Sequence, residues 1–451
     1  MIAPKAGAPT QPSRPVLRLM RMKNLRGTAV LAAVGLALAG CASGASSEPQ
    51  SPPGPVVARG VAIREPLADP RPYGAADTAF GLDLLAAWCG ADPQANLVLS
   101  PSSLASGLGM AYLGAGGATA QAMAAVLNLP AAGGQTVSGQ ALEAGLQARS
   151  AALRGLDSPG VTVETSDQVW ADPSLTTRPA YLNAVATGYG AGLARAPLLT
   201  DPDQAAREIS QAVSTATRGQ IPQLLPAGSL PDIGWVLTDA LYLHADWAAP
   251  FQAGLTSPAP FATAAGQHVS VPFMNGGQFR SDRVGGWTGV WLPYRGGRLG
   301  LLALLPPDGA AGCTMPSAAG LGAMTAQLTK PNGVVQTTSA VALPKVKLAD
   351  TTSMKGLLAA LGMGLAFTSA ADFSGLSPQA CCIGLVQHAA TLQVGEQGTV
   401  ASAATAVGME PTAARLPPVT VMFDRPYLML VIDRTTGEPL IAARVTNPAA
   451  G

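Results

Sequence analysis

The stretch EQGTVASAATAVG, Glu396 to Gly408, decides how the rest of the chain is read. Ahead of it Thr391-Leu392-Gln393-Val394 has the character of a strand ending, and a few residues beyond it the chain turns prolyl. Between lie Ala401, Ser402, Ala403, Ala404, Thr405 and Ala406, without an aromatic ring or a charge. Such residues make neither a good strand nor an ordinary Gly/Pro loop. Composition alone reads the stretch as a flexible connector.

The chain around it is long enough for one large domain or two to three ordinary ones. Of its 451 residues 48% are apolar and only 12% charged, which supports a sizeable core. Residues 1–41 carry Lys5, Arg14, Arg18, Arg21, Lys23 and Arg26 with no acid, then an apolar run from Thr28 to Ala39 that is too short to span a bilayer. The run Leu38-Ala39-Gly40-Cys41 resembles a bacterial lipoprotein signal, which makes Cys41 the expected lipidation site and the expected location an exported, lipid-anchored one. Residues 42–72 are Ser, Pro, Gly and Ala with scattered charges and no apolar period, the composition of a flexible tether. Loss of the six basic residues ahead of Cys41 takes 27 basic residues to 21 against 26 acids, a net charge of about −5, which offers no nucleic-acid footprint.

The remaining cysteines, Cys89, Cys313, Cys381 and Cys382, allow three pairings that sequence does not rank. Buried free thiols and one disulfide joining Cys381 or Cys382 to a distant partner stand as alternatives, since an exported compartment permits either. The three histidines, His244, His268 and His388, lie far from one another and from any Cys or Glu cluster, so no zinc site is expected. There is no G-x-S-x-G elbow, and GAGGAT at Gly114–Thr119 lacks the lysine of a phosphate loop. An enzyme is disfavoured, and neither cofactor nor metal is expected. Helical spacing from Asp77 gives way to long strand-like runs such as WVLTDALYLHADW and TVMFDRPYLMLVIDRTTGEPLIAARV, with a hairpin turn at Thr435-Thr436-Gly437. The pattern predicts an α+β chain with segregated helices and sheets.

Three separated segments together resemble serpins: Asn96–Met123, Leu237–Phe251 and Val341–Pro448, the last holding MFDRPYLMLV where that family has its C-terminal signature. The resemblance covers residues 73–449. It implies a multi-helix N-terminal half, a large central mixed sheet, smaller antiparallel sheets and an exposed reactive-centre loop at about 396–418. Serpins trap a protease by letting it cleave this loop, whose N-terminal part then enters the central sheet as a new strand. On that reading Glu396, Gly398, Thr399, Ala401, Ser402, Ala403, Ala404 and Thr405 form the hinge, and those after Glu396 are small because every second side chain must pass into a packed interior.

Carried over by position, Glu396 matches the acid at the top of the hinge, Lys345 its partner, and Trp247 the tryptophan beneath them, the breach. Ser100, Ser103 and His388 match the polar shutter cluster where the sheet must part. The family's usual asparagine there is Asp239, which predicts a charged pair with His388 and a pH-dependent opening. Val400 and Tyr427 are further departures, neither of which blocks insertion. Counting from Glu396 puts the scissile bond at Thr412-Ala413; counting back from Phe423 puts it at Arg415-Leu416. The loop is about three residues longer than usual, and using all of it leaves roughly 10 Å of slack on a tethered protease, which favours Thr412-Ala413. The implied partner is a serine protease of elastase, subtilisin or trypsin type, with cysteine proteases as a further class, and the protein is expected to be a monomer. The alternative is a non-inhibitory serpin-fold protein for binding or storage at the cell surface.

Overall fold

Side-chain caps start three of the described helices. The computed structural model describes residues 57–66, 68–132, 135–136, 138–230, 234–310, 312–330, 337–399 and 420–450. Its helices are α1 (Arg71–Ala91), α2 (Pro101–Tyr112), α3 (Gly117–Val126), α4 (Gly139–Arg154), α5 (Pro179–Tyr189), α6 (Pro202–Ala216), α7 (Ala318–Thr329) and the short α8 (Lys355–Leu358). Ser100 starts α2 by accepting a hydrogen bond from Ser103 N at 3.2 Å, with Pro101 in the first helical position. Asp201 starts α6 in the same way through Gln204 N, and left-handed Gly190 ends α5.

The central sheet contains β1 (Val57–Ala58), β2 (Val161–Thr165), β3 (Gln168–Ala171), β4 (Leu193–Arg195), β5 (Trp235–Asp246), β6 (Val346–Ser353), β7 (Leu385–Gly395) and β8 (Gly398–Thr399). In space they run β1-β4-β3-β5-β8-β7-β6, and β2 also pairs with β5. The sheet is mixed: β7 runs parallel to β5, while β2, β3 and β8 are antiparallel to it. The other long strands join in a nine-stranded sheet that is antiparallel except where Thr420–Met422 lies parallel to Thr337–Pro344. Its Tyr427–Asp433 and Pro439–Val445 strands form the hairpin expected at Thr435-Thr436-Gly437.

Both faces of the central sheet are covered, so β5 is buried along almost its whole length, Thr238 and Asp239 included. Leu241 and Leu243 of β5 and Ala390, Leu392 and Val394 of β7 pack with the nine-stranded sheet. Ala240 and Ala389 pack on the opposite side with Ile209 and Val213 of α6. A strand added between β5 and β7 would therefore be buried on both faces.

The folded part begins earlier than the 42–72 tether assignment suggests. Val57 pairs with Ala194 of β4, and Val61 N and Ile63 N donate to Asn183 Oδ1 and Thr187 Oγ1 of α5 at 2.8 and 2.9 Å. These backbone bonds were illegible in a Pro- and Ala-rich stretch without apolar periodicity.

Candidate functional site

The top of the central sheet is parted and its lower half is closed. From Leu385–Val236 to Ala389–Ala240, β7 pairs directly with β5. Above this seam the two residues of β8 lie between them: Thr399 faces Val394 on one side and Ala245 on the other. The strands keep one register throughout. His388 and Asp239 are 149 residues apart, as are Val394 and Ala245, so the strands separate sideways without sliding.

Gly398 and Thr399 are held tightly. A Cβ on Gly398 would meet Ala245 O at 2.1 Å, so glycine is what lets the hinge backbone approach β5 this closely. Thr399 is fully buried, with Oγ1 2.5 Å from the Tyr294 hydroxyl. Tyr294 stacks on Trp247 with ring centroids 4.5 Å apart and planes within 3°. Trp247 donates from Nε1 to Gly395 O at 2.9 Å and from its backbone N to Gln397 O at 2.8 Å. The Glu396 carboxylate is 3.0 Å from Lys345 Nζ and accepts from Thr256 Oγ1 at 3.0 Å. Burial works to raise the Glu396 carboxyl, but hydrogen bonds from Lys345 and Thr256 help hold it below its ordinary value.

Ser100, Ser103, Asp239 and His388, the residues matched to the shutter, meet at the seam. His388 Nδ1 is 2.5 Å from Asp239 Oδ1, and His388 Nε2 accepts from Ser100 N at 3.2 Å. An Nε2 that accepts carries no proton, so the imidazole of this geometry is neutral and its proton is on the Asp239 side. The expected charged pair is thus replaced by a hydrogen bond from a neutral imidazole to the Asp239 carboxyl. Burial raises the Asp239 carboxyl, with His388 working against it. Ser103 donates its backbone N to the capping Ser100 Oγ and its hydroxyl to Asp167, which lies in the break between β2 and β3. Burial pushes the Asp167 carboxyl up to about 8, opposed by the Ser103 hydrogen bond and reinforced by Asp239.

The structure brings together Glu396, Lys345 and Trp247 at one end of the slot and Ser100, Ser103, Asp239 and His388 at the other. Ala401, Ser402, Ala403, Ala404, Thr405, both candidate bonds (Thr412-Ala413 and Arg415-Leu416) and Cys41 lie outside the described residues. Sequence reading missed Asp167, Tyr294, Thr256 and a buried triad in which Arg149 pairs with Asp77 at 2.6 Å and Glu438 at 2.8 Å. Burial works to lower the Arg149 guanidinium, but the two carboxylates more than reverse this and keep it charged. Arg149 also donates to Ser102 O and Ser106 Oγ, tying the helix that carries Ser103 to α1, α4 and the C-terminal hairpin.

The disulfide expectation is corrected. Cys89 pairs with Cys313, with Cα atoms 5.7 Å apart, whereas Cys381 and Cys382 are thiols and Cys381 is exposed. The bond links α1 to the loop ahead of α7, a juxtaposition that spacing in the sequence does not encode.

A family model described as serpin (serine protease inhibitor) matches residues 75–448. Over 389 residues the chain is 29% identical to the leukocyte elastase inhibitor of Bos taurus, covering 83% of this chain and 99% of that protein. It is 31% identical over 360 residues to an uncharacterized serpin-like protein of Thermococcus kodakarensis, covering 79% and 82% of the two chains. Among solved structures, native tengpin, a thermophilic serpin, superposes with a TM-score of 0.74 at 23% identity, covering 87% of this chain and all of that one. Thyroxine-binding globulin in complex with thyroxine superposes with a TM-score of 0.71 at 22% identity, covering 83% and 99%. With the parted sheet and the seated hinge already in place, the match over residues 75–448 makes the conclusion plain: the chain belongs to the serpin family.

Proposed function

We propose that this serpin is a single-use inhibitor of serine proteases. The observation that carries the reading is the seating of Gly398 and Thr399 between β5 and β7 above a seam that is still closed. Continued in the same register, Ala401 would fall beside Leu392 and Leu243, Ala403 beside Ala390 and Leu241, and Thr405 between His388 and Asp239. All of these neighbours face the interior of the domain, where small side chains enter without overpacking. Insertion would replace the five-residue β5–β7 seam by two antiparallel ladders. The added hydrogen bonds and burial would drive the change irreversibly.

In the reaction the protease serine attacks the carbonyl of Thr412, the Ala413 amine leaves, and insertion carries the ester-linked protease away before water can release it. The relative named for leukocyte elastase agrees with a bond between small residues. Cleavage at Arg415-Leu416 by a trypsin-like enzyme is the competing assignment. Incubation with elastase, subtilisin and trypsin tests both points: an SDS-stable adduct is expected with elastase, and the released peptide should begin at Ala413. A peptide beginning at Leu416 moves the bond, and absence of any adduct supports the non-inhibitory binding role.

We further propose that residues 1–41 direct export and that Cys41 is lipidated, anchoring a monomeric inhibitor to the cell envelope through the tether. Cys41→Ala should release the protein from the membrane fraction; retention there would contradict the anchor.

A further inference from the structure

Cys381 and Cys382 stand apart from the buried Cys89–Cys313 bond in position and in state. Cys381 is exposed, Cys382 is half-buried, and their sulfurs are 2.8 Å apart. Adjacent residues have Cα atoms about 3.8 Å apart, below the usual span of a disulfide, so a bond between them would close a strained ring that is readily reduced again. The backbone around the pair is fixed: Ile383 N donates to Ala366 O at 3.0 Å, and Ala380 N to Ser377 O at 3.2 Å. Cys382 also lines a small apolar cavity with Trp235, Val236 and Leu237, the first residues of β5. Neighbouring sulfurs, one open to solvent and one held beside it, are the arrangement that two-step thiol exchange requires.

We propose that Cys381 and Cys382 form a thiol–disulfide exchange site that takes low-molecular-weight disulfides such as oxidised glutathione. The Cys381 thiolate attacks one sulfur of the glutathione disulfide, forming a mixed disulfide and expelling one glutathione thiolate. The Cys382 thiolate then attacks Cys381 Sγ, closing the ring and expelling the second. Two protein thiols are oxidised by two electrons, the glutathione disulfide is reduced to two thiols, and the two thiol protons end on the released glutathione. Cys382 is the weaker acid, because burial and the neighbouring Cys381 thiol push it up to about 11, and Lys355 opposes this. Exposed Cys381 is therefore the first attacker. Ring closure acts at the lower end of the β5–β7 seam, next to the cavity that Cys382 shares with Trp235.

The test uses the full chain with its Cys89–Cys313 bond intact, incubated with oxidised glutathione, acid-quenched and read by intact mass and peptide mapping. The parent should lose two hydrogens within the peptide that holds both residues and retain no glutathione, and mild dithiothreitol should reverse this while Cys89–Cys313 survives. Cys382→Ser should stop at one glutathione on Cys381. The proposal is overturned if the parent keeps both thiols, if it accumulates a stable glutathione adduct, or if mapping joins either residue to Cys89 or Cys313. The parent's mass decides the question even if the variant does not fold.

Discussion

His388 and Asp239 face each other across the stretch where β5 and β7 still touch, with Nδ1 2.5 Å from Oδ1. A strand entering from above in the register of Thr399 must separate them and offer Thr405 in their place. Asp350 and Asp167 are the other carboxyls coupled to the pair, and burial raises both. Because burial also raises the Asp239 carboxyl, the closed seam binds its proton more tightly than an open, hydrated one does. The sign follows: rising pH, above the ordinary carboxyl range, favours opening. Loop insertion in the parent should speed up from pH 5 to pH 8, and Asp239→Asn should flatten that profile. Matching profiles for the two proteins, followed by stopped-flow fluorescence, would remove Asp239 from the mechanism.

Asp167 makes a separate equilibrium prediction. Its folded value of about 8 lies above the ordinary carboxyl value of 3.8, so between these pH values the folded state retains a proton that the unfolded state has lost. Stability therefore falls as pH rises through this window and levels off above it. Asp167→Asn should remove the slope and stabilise the protein at pH 8 by at least about 1 kcal/mol, which is roughly what a tenfold change in proton affinity is worth. Urea denaturation at pH 5 and pH 8 measures it; a variant that keeps the parent's slope contradicts the assignment.

Gly398 and Tyr294 hold the hinge in its seat. Gly398→Ala places a methyl against Ala245 O in a backbone conformation that costs a side chain about 1–3 kcal/mol. The hinge should leave the sheet, and thermolysin should nick the loop faster. Tyr294→Phe removes the partner of the buried Thr399 hydroxyl, a loss of about 1–3 kcal/mol in the same direction. Parent-like nicking rates in both variants would mean that β8 does not restrain the loop.

The Cys89–Cys313 bond spans 224 residues of chain, so its removal frees a large loop in the unfolded state. Cys89→Ala should cost about 2–4 kcal/mol in urea unfolding and leave adduct formation with a protease intact. No change in the unfolding midpoint would show that the bond contributes nothing under those conditions.

The meeting of Glu396 with Lys345, of Trp247 with the Gly395 carbonyl and of Asp239 with His388 was legible because each of these residues sits in a recognisable segment of the chain. The triad of Arg149, Asp77 and Glu438 was not, since Arg149 and Glu438 are 289 residues apart and a lone arginine on a helix reads as solvated. Asp167 was hidden for a different reason. It occupies a two-residue break between β2 and β3, and only the pairing of both strands with β5 turns it towards Ser103. The cysteine pairing and the early start at Val57 likewise depend on tertiary contacts without a local pattern.

The most direct test compares the melting of intact protein with that of protein nicked once in the loop. If the severed segment becomes a full strand between β5 and β7, the nicked form should melt at least about 10 °C higher, a gain of several kcal/mol for a domain of this size. Equal melting temperatures, with no covalent adduct to any protease tried, would contradict the account.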